Sequence, residues 1–445
     1  MHAASSDSWF SEARFGMFIH WGPYSLIGRG EQPLFREHLD QRAYGEMACG
    51  WNPSRFDAAA WARVAKDAGM RYGVLTSRHH DGFCLWDSKV TDYTSASQAA
   101  GRDFVREYVE AFRAAGLRVG LYYSLADWRI PAYWEGPDHD PEGWGRFRAY
   151  VHQQVRELLT HYGRIDVIWF DGAWPHSAED WRAAELVAMI RDLQPGILVN
   201  NRLGRALAGA PSADGGAGPG ATDDLGDFGT PEHHITAEVG RPWESCQVST
   251  WRLWGYAAGE RWRPTDLLLD MLVEAAGKGG NLLLNVGPTP EGELPAEFVA
   301  RAEALGRWLA VHGEAIYGVE AGDVCEFVTF GRQTRKGDNL YLIVRFWDGR
   351  GALRLAGLET PVRRAVLLTT GQELPFEQGP DELTISGLPL EPPTDLFPVI
   401  KLECAGPPQP RPWARERLWQ GDPRRMTSWA TARGTSVWAD GEERG

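Results

Sequence analysis

An aspartate closes a short apolar segment near the middle of the chain. Residues 166–170 (DVIWF) have the pattern of a buried strand, and Asp171 follows directly, with Gly172 after it. A carboxylate at a buried strand end is costly to desolvate unless it is paired or used chemically. Two carboxyl groups about 5 to 5.5 Å apart can cleave a glycosidic bond with retention, one attacking the anomeric carbon and one protonating the leaving oxygen. The structural alternative for Asp171 is a helix cap or a salt bridge to an arginine.

Three glutamates downstream could supply the second carboxyl group. Glu232, Glu238 and Glu244 are spaced six residues apart in the stretch GDFGTPEHHITAEVGRPWESC. Burial and mutual repulsion would separate the pKa values of such a pair and so assign the acid and the nucleophile. Spacing alone leaves all three glutamates open.

Histidines also stand at the ends of predicted strands. His20 ends the run FGMFIH, and His79 and His80 follow the strand that begins at Tyr72. Adjacent histidines chelate poorly compared with HxH or HExxH spacing, so we predict no metal and no cofactor. Neutral imidazoles that hydrogen-bond sugar hydroxyls fit better, with a satisfied buried pair as the structural alternative.

The elements that must position these residues alternate along the chain. Unbroken apolar strands between amphipathic helices predict a parallel sheet buried on both faces, with the polar residues at strand ends as in a barrel. We therefore predict an α/β fold with a (β/α)8-like, TIM-type barrel over residues 1–318, although an eighth strand is not apparent and a doubly wound sheet is the alternative. The predicted strands are 15–20, 72–76, 118–123, 166–170, 197–200 and 282–286; the predicted helices are 56–69, 103–116, 147–162, 178–193, 265–277 and 295–311.

The remaining segments differ in composition. Short β-like runs with turns at Gly and Pro predict a C-terminal antiparallel β-sandwich over residues 319–404. Residues 405–445 are rich in Pro, Arg and Gly and predict a disordered or loosely attached tail. Residues 206–226 are rich in Gly, Ala and Asp and predict a long mobile loop beside the site.

Composition limits the function further. A net charge of −14 without any block of basic residues argues against nucleic acid or membrane partners. The 21 tryptophans suit a carbohydrate site, although core filling explains any single one equally well. The five cysteines are widely spaced and odd in number, and the N-terminus has no signal-peptide pattern, so we predict a soluble cytoplasmic protein with reduced thiols.

Five motifs carry a resemblance to a known family. They occur in the same order as motifs of the α-L-fucosidases of glycoside hydrolase family 29, which they resemble. The resemblance extends from about residue 8 to about residue 318, and that family also has a β domain after its barrel. They are FGMFIHWG at 15–22, TSRHHDGF at 76–83, GLYYS at 120–124, WFDG at 169–172 and GGNLLLNVGP at 279–288.

The resemblance implies a retaining exo-α-L-fucosidase that acts on fucosylated oligosaccharides or glycoconjugates. Asp171 would be the nucleophile, and the stretch DFGTPEHHI favours Glu232 as acid/base over Glu238 and Glu244. The residues implied to line the fucose pocket are His20, His79, His80, Trp169, one of Tyr122 and Tyr123, Arg202 and Trp254.

One position departs from the family pattern. Members often carry a Glu-Trp pair after the first strand that contacts fucose, and here the nearest equivalent is Leu34-Phe35. The O-3/O-4 side of the pocket would then be served by Glu31, Arg36 or Glu46.

Two other functions compete with this interpretation. A metal-dependent amidohydrolase could use the histidines on the same barrel, and a non-catalytic carbohydrate-binding protein could have kept the pocket. Asp171 together with the downstream glutamates argues against the second. The sequence leaves open the linkage cleaved and the oligomeric state, a homo-oligomer included.

Overall fold

The computed structural model describes residues 8–204, 225–238, 240–321, 324–325 and 328–412. Contacts between residues divide the chain into two compact units, Met1–Ala310 and Val311–Gly445. The boundary predicted after residue 318 stays a prediction. Most of the segment predicted as a long mobile loop lies outside the described residues.

The first unit is built on seven parallel strands. They are β1 Phe15–Ile19, β2 Tyr72–Arg78, β3 Arg118–Ser124, β4 Val167–Asp171, β5 Leu198–Val199, β6 Glu244–Val248 and β7 Asn281–Val286. They pair in the order β5-β4-β3-β2-β1-β7-β6, and nearly all of their residues are buried, as in a parallel sheet covered on both faces. Strand β6 (ESCQV) is absent from the sequence prediction because its polar residues break the apolar pattern that identifies the others.

Helices follow most of the strands. They are α1 Ser8–Ala13, α2 Pro33–Arg36, α3 Gln41–Cys49, α4 Ala58–Asp67, α5 Phe104–Ala114, α6 Pro131–His139, α7 Pro141–His161, α8 Ala183–Leu193, α9 Thr265–Gly277 and α10 Ala296–His312, with 3-10 turns at Pro23–Leu26 and Gly313–Ala315. Asp57 and Asp103 begin α4 and α5 by accepting the backbone N–H of Ala60 and Arg106. In the described part of the chain, no helix is both long and apolar enough to cross a membrane.

A short segment joins the two edge strands of the sheet. A parallel backbone bridge pairs Phe228 with Asn200, which lies just after β5. Two further parallel bridges join the segment to the other edge: Gly229 pairs with Trp243 just before β6, and Glu232 pairs with Cys246 within β6. The segment thereby completes the ring of strands, and the prediction of a TIM-like barrel is confirmed. Because Gly and Pro interrupt its sequence (FGTPE), the sequence pattern does not predict a strand in this segment.

Large side chains fill the barrel interior beneath the carboxyl ends of the strands. Phe18, Tyr72, Tyr122 and Trp169 belong to one buried cluster, to which α1 contributes Phe10 from below. Such a packed interior leaves room for a site only at the carboxyl ends of the strands.

The second unit contains two antiparallel sheets. Its strands are β8 Gly331–Lys336, β9 Asn339–Val344, β10 Ala352–Ala356, β11 Val362–Leu367, β12 Gln372–Glu373, β13 Phe376–Gln378, β14 Glu382–Ser386 and β15 Val399–Cys404. One sheet has the order β12-β11-β15-β9-β8 and the other β10-β14-β13, with a shared apolar core that includes Leu342, Leu355 and Leu402. The predicted C-terminal β-sandwich is confirmed.

The beginning of the predicted tail is attached to this unit. Gln409 accepts the N–H of Glu359 at 2.8 Å and donates its own to Thr360, and Arg411 donates to the carbonyl of Gly357 at 2.7 Å. These hydrogen bonds join residues 409 and 411 to the connection between β10 and β11, and the prediction for the tail as a whole stays a prediction. The tail from residue 413 lies outside the described residues.

Candidate active site

A cavity of about 1010 Å³ opens at the carboxyl ends of the barrel strands. This is the end at which barrel active sites assemble, because the strand-to-helix loops meet there. Most of the residues predicted from the sequence line it: His20, His79, His80, Tyr122, Trp169, Asp171, Arg202, Glu232 and Trp254.

Asp171 lies in the cavity with both carboxylate oxygens engaged. The Tyr122 hydroxyl donates to Oδ2 at 2.9 Å, and Nε2 of His80 lies 3.7 Å from the same oxygen. The guanidinium of Arg202 donates to Oδ1 at 3.4 Å. Burial alone would raise the pKa of Asp171, but the charge of Arg202, the neighbouring His80 and the Tyr122 hydrogen bond lower it below its ordinary value. The carboxylate is therefore ionised at neutral pH, as a nucleophile requires.

Arg202 connects Asp171 with a second carboxylate. Its Nη1 atom lies 3.4 Å from Oδ1 of Asp171 and 2.9 Å from Oε2 of Glu232. One guanidinium nitrogen thus contacts both carboxylates, which places Asp171 and Glu232 close to each other in the cavity. Hydrogen bonds to Thr230 and the face of Trp169, 4.7 Å from the guanidinium carbon, hold Arg202 in place.

The other two candidate glutamates lie elsewhere. Glu238 pairs with Arg241 at 2.6 Å and does not line the cavity. Glu244 is the first residue of β6 and is fully buried in the barrel interior, where it accepts hydrogen bonds from the Tyr72 hydroxyl and the Trp169 indole. Only Glu232 among the three lines the cavity with Asp171.

Burial raises the pKa of Glu244 from its ordinary 4.5 to about 7, a shift that hydrogen bonds from Tyr72 and Trp169 only partly oppose. The folded state therefore binds a proton that the unfolded state releases, and this contribution to stability is lost as the pH rises from about 4.5 through about 7. Glu244→Gln stays neutral, so we expect the melting temperature of the variant minus that of the wild type to increase over this interval. Thermal melts across the pH range measure it, with Glu238→Gln as control. A difference in melting temperature that does not change with pH would contradict the raised pKa of Glu244.

The three predicted histidines are buried and neutral. Burial lowers the pKa of His20 to about 3, that of His80 to about 4 and that of His79 well below its usual range. Asn285 fixes the orientation of His20, because its amide donates to the Trp254 carbonyl and its Oδ1 therefore accepts from Nδ1 of His20 at 2.6 Å. That leaves Nε2 of His20 as an acceptor for a hydroxyl.

Tyr122 and Tyr123 face opposite sides of β3, as neighbouring strand residues must. Tyr122 lines the cavity, stacked between His79 and Trp169 with ring centroids 5.6 Å from each. Tyr123 points away from it, where its hydroxyl donates to Gln154 and accepts from Arg78. Tyr123 is thus corrected from a candidate substrate contact to part of a buried polar cluster.

Comparison with known proteins identifies the family. The α-L-fucosidase family model matches residues 1–314. The chain is 29% identical to the tissue α-L-fucosidase of Mus musculus over 415 residues, covering 87% of this chain and 89% of that protein. The chain belongs to the α-L-fucosidase family. The resemblance drawn from the sequence motifs is therefore confirmed, and the protein is a glycoside hydrolase.

Solved structures of fucosidases share the fold. α-L-Fucosidase isoenzyme 1 from Paenibacillus thiaminolyticus is 39% identical, with a TM-score of 0.80 over 90% of this chain and 98% of that one. A family 29 α-L-fucosidase from Bacteroides thetaiotaomicron, trapped as a covalent intermediate with 2-fluoro-fucosyl fluoride in a Glu→Gln variant, is 29% identical, with a TM-score of 0.81 over 90% of this chain and 96% of that one.

The segment that departs from the family pattern contributes two residues to the cavity. Glu31 and Arg36 both line it, whereas Glu46 is exposed on α3 and pairs with Arg42. Glu31 is buried and accepts the backbone N–H groups of Trp254 and Gly255 at 3.1 and 2.9 Å, so it anchors the loop that carries Trp254. Phe35 is exposed and stacks on Trp134 outside the cavity.

Several lining residues are missing from the sequence prediction. Trp174, Trp251 and Arg263 lie in loops without a strand pattern beside them, and loop residues reach a site only through the path of the chain. Asn285, which orients His20 without lining the cavity, is different, because it lies within the quoted motif GGNLLLNVGP and could have been inferred from it. In the part of the chain that is described, no group of three or more His, Cys, Asp or Glu side chains is arranged to hold a metal ion.

Proposed function

We propose that this α-L-fucosidase releases terminal α-L-fucosyl residues from fucosylated glycans by double displacement, with Asp171 as nucleophile and Glu232 as acid/base. The observation that carries the proposal is the single guanidinium nitrogen of Arg202 between the two carboxylates. A covalent intermediate in the related Bacteroides enzyme supports the retaining route.

In the first step, a carboxylate oxygen of Asp171 attacks the anomeric carbon while the bond to the leaving oxygen breaks. That oxygen takes its proton from Glu232, and the products are a β-fucosyl ester on Asp171 and the free leaving group. In the second step, Glu232 accepts a proton from water, the water oxygen attacks the anomeric carbon, and the ester bond breaks to restore the Asp171 carboxylate.

Arg202 remains paired with Glu232 between the steps. Before reaction its charge is shared between two carboxyl groups. Esterification removes the negative charge of Asp171, so the guanidinium then keeps Glu232 as its carboxylate partner. Glu232 is the residue that acts as general base in the second step.

The neutral residues of the pocket suit a 6-deoxy sugar. Fucose presents hydroxyls, which need donors and acceptors, and a methyl group, which needs an apolar wall. His20, His79 and His80 offer uncharged nitrogens, and Nδ1 of His79 is buried without a hydrogen-bond partner in the described residues. Phe18 and Trp254 supply apolar surface beside them.

The stereochemistry of the first product tests the proposed function. When an aryl α-L-fucoside is hydrolysed in an NMR tube, we expect α-fucose to appear first and the β anomer to follow by mutarotation, because two inversions at the anomeric carbon give net retention. Initial formation of β-fucose would indicate a single displacement and overturn the covalent role of Asp171.

The amidohydrolase alternative makes a different prediction. The histidines lack chelating spacing and the comparisons do not favour this alternative, so we expect overnight dialysis against EDTA to leave fucosidase activity unchanged. Activity lost on dialysis and restored by zinc would reinstate the metal-dependent mechanism. The cytoplasmic location stays a prediction from the sequence.

A further inference from the structure

A buried arginine in the cavity wall has no carboxylate partner among the described residues. Arg263 is only 8% exposed and lines the cavity. Its side-chain contacts are neutral: Nη1 lies 3.3 Å from Oε1 of Gln247 and 3.4 Å from the sulfur of Met271, and Nε has no hydrogen-bond partner within the described part of the chain. A buried charge without a counter-ion is costly, so its presence beside a substrate cavity indicates a ligand that completes it.

Other buried arginines near the cavity are paired. Arg78 contacts Asp127 at 2.9 Å, and Arg202 contacts the two carboxylates of the proposed mechanism. Their guanidinium charges are therefore compensated within the protein. Among the residues that the structure describes, Arg263 has no such acid, and burial lowers its pKa.

Arg263 lies on the side of the cavity that receives the leaving group. In a double displacement, the nucleophile and the acid act on opposite faces of the anomeric carbon, so the leaving sugar lies on the side of Glu232. Nη1 of Arg263 lies 3.3 Å from Oε1 of Gln247, and a backbone bridge pairs the preceding residue, Cys246, with Glu232. Arg263 therefore lies beside the segment that carries the acid/base.

An aromatic side chain lies next to this arginine. Trp251 lines the same cavity, is 52% exposed, and its ring centroid is 5.9 Å from the guanidinium carbon of Arg263. An exposed indole offers a flat apolar face of the kind on which a sugar ring packs. A stacking face and an uncompensated cation therefore occur together where the leaving sugar must lie.

We propose that Trp251 and Arg263 form the subsite of the leaving sugar, and that Arg263 favours leaving sugars that carry an anionic group, either a sulfate ester or a carboxylate. This inference rests on the proposed function, because it takes the leaving-group side from the role of Glu232. Arg252, which is exposed, and the acidic Glu260 also line the cavity.

Three fucosyl disaccharides test the proposal: one neutral, one with a sulfate ester on the leaving sugar, and one with a uronic acid in its place. We expect the wild type to cleave at least one charged disaccharide with kcat/KM about tenfold above the neutral one, the effect of one charge-assisted hydrogen bond. If only one charged disaccharide is preferred, its anionic group is the one that Arg263 recognises. If both are preferred over the neutral disaccharide, Arg263 recognises negative charge of either kind. Added salt should reduce the preference.

Variants of Arg263 assign the preference to this side chain. Arg263→Gln, which can still contact Gln247, should abolish it, and Arg263→Lys, which keeps the charge, should retain most of it. Arg261→Gln is the matched control, because Arg261 is exposed on the same loop and does not line the cavity. Thermal melts establish that each variant is folded.

The outcomes separate this inference from the proposed function. Failure of the wild type to cleave a neutral aryl α-L-fucoside would reject the proposed function itself. Cleavage of that substrate together with equal kcat/KM for the three disaccharides, or a preference that persists in Arg263→Gln, would overturn the role of Arg263 alone.

Discussion

Asp171→Gly is expected to lower kcat for an aryl α-L-fucoside by roughly a thousandfold or more, because covalent catalysis is lost with the carboxylate. The variant should fold, since Arg202 keeps its contacts with Glu232 and Thr230. Azide should restore part of the activity: it enters the space left by the carboxylate and attacks the anomeric carbon from the same side. The product is then β-fucosyl azide, identifiable by NMR.

The control for this experiment is Asp87→Gly, which removes a partly exposed aspartate outside the cavity. Its kcat should equal that of the wild type. If Asp171→Gly keeps more than about a tenth of the wild-type kcat, the nucleophile is another residue.

Glu232→Ala is expected to affect substrates according to their leaving groups. An aryl fucoside with an acidic phenol departs with little protonation, whereas a sugar alkoxide needs a proton from the acid. We therefore expect kcat/KM for fucosyl oligosaccharides to fall by about 10²- to 10⁴-fold, and that for the activated aryl fucoside far less. The alkaline limb of the bell-shaped pH profile should disappear, because it reports deprotonation of the general acid.

Glu238→Ala is the matched control for Glu232→Ala. Glu238 belongs to the same segment but pairs with Arg241 outside the cavity, so its removal should not distinguish between the two substrate types. A large difference between substrates in Glu238→Ala, with wild-type behaviour of Glu232→Ala, would move the acid/base role to Glu238.

The chain could be assigned to its fold and family from the sequence because the necessary signals are local. Apolar strands that alternate with amphipathic helices specify a parallel α/β sheet, and a carboxylate directly after such a strand, Asp171, must lie at its carboxyl end. The same rule predicts the positions of His20, His79 and His80, which also come directly after or near the ends of predicted strands. The motif HHDGF and the strand GGNLLLNVGP carry enough specific residues to indicate the family without a structure.

Tertiary structure decided what local patterns leave undetermined. Tyr122 and Tyr123 point to opposite sides of β3, and the strands packed against β3 decide which side faces the cavity. The choice between the two tyrosines therefore needs the assembled barrel. Glu232, Glu238 and Glu244 have equal spacing, but only the parallel bridges of the segment around Gly229 bring Glu232 to the carboxyl end. Contacts between residues distant in sequence have no local signature, because they depend on how the whole chain closes. The same holds for Arg263, whose lack of a carboxylate partner among the described residues depends on where residues distant in sequence lie.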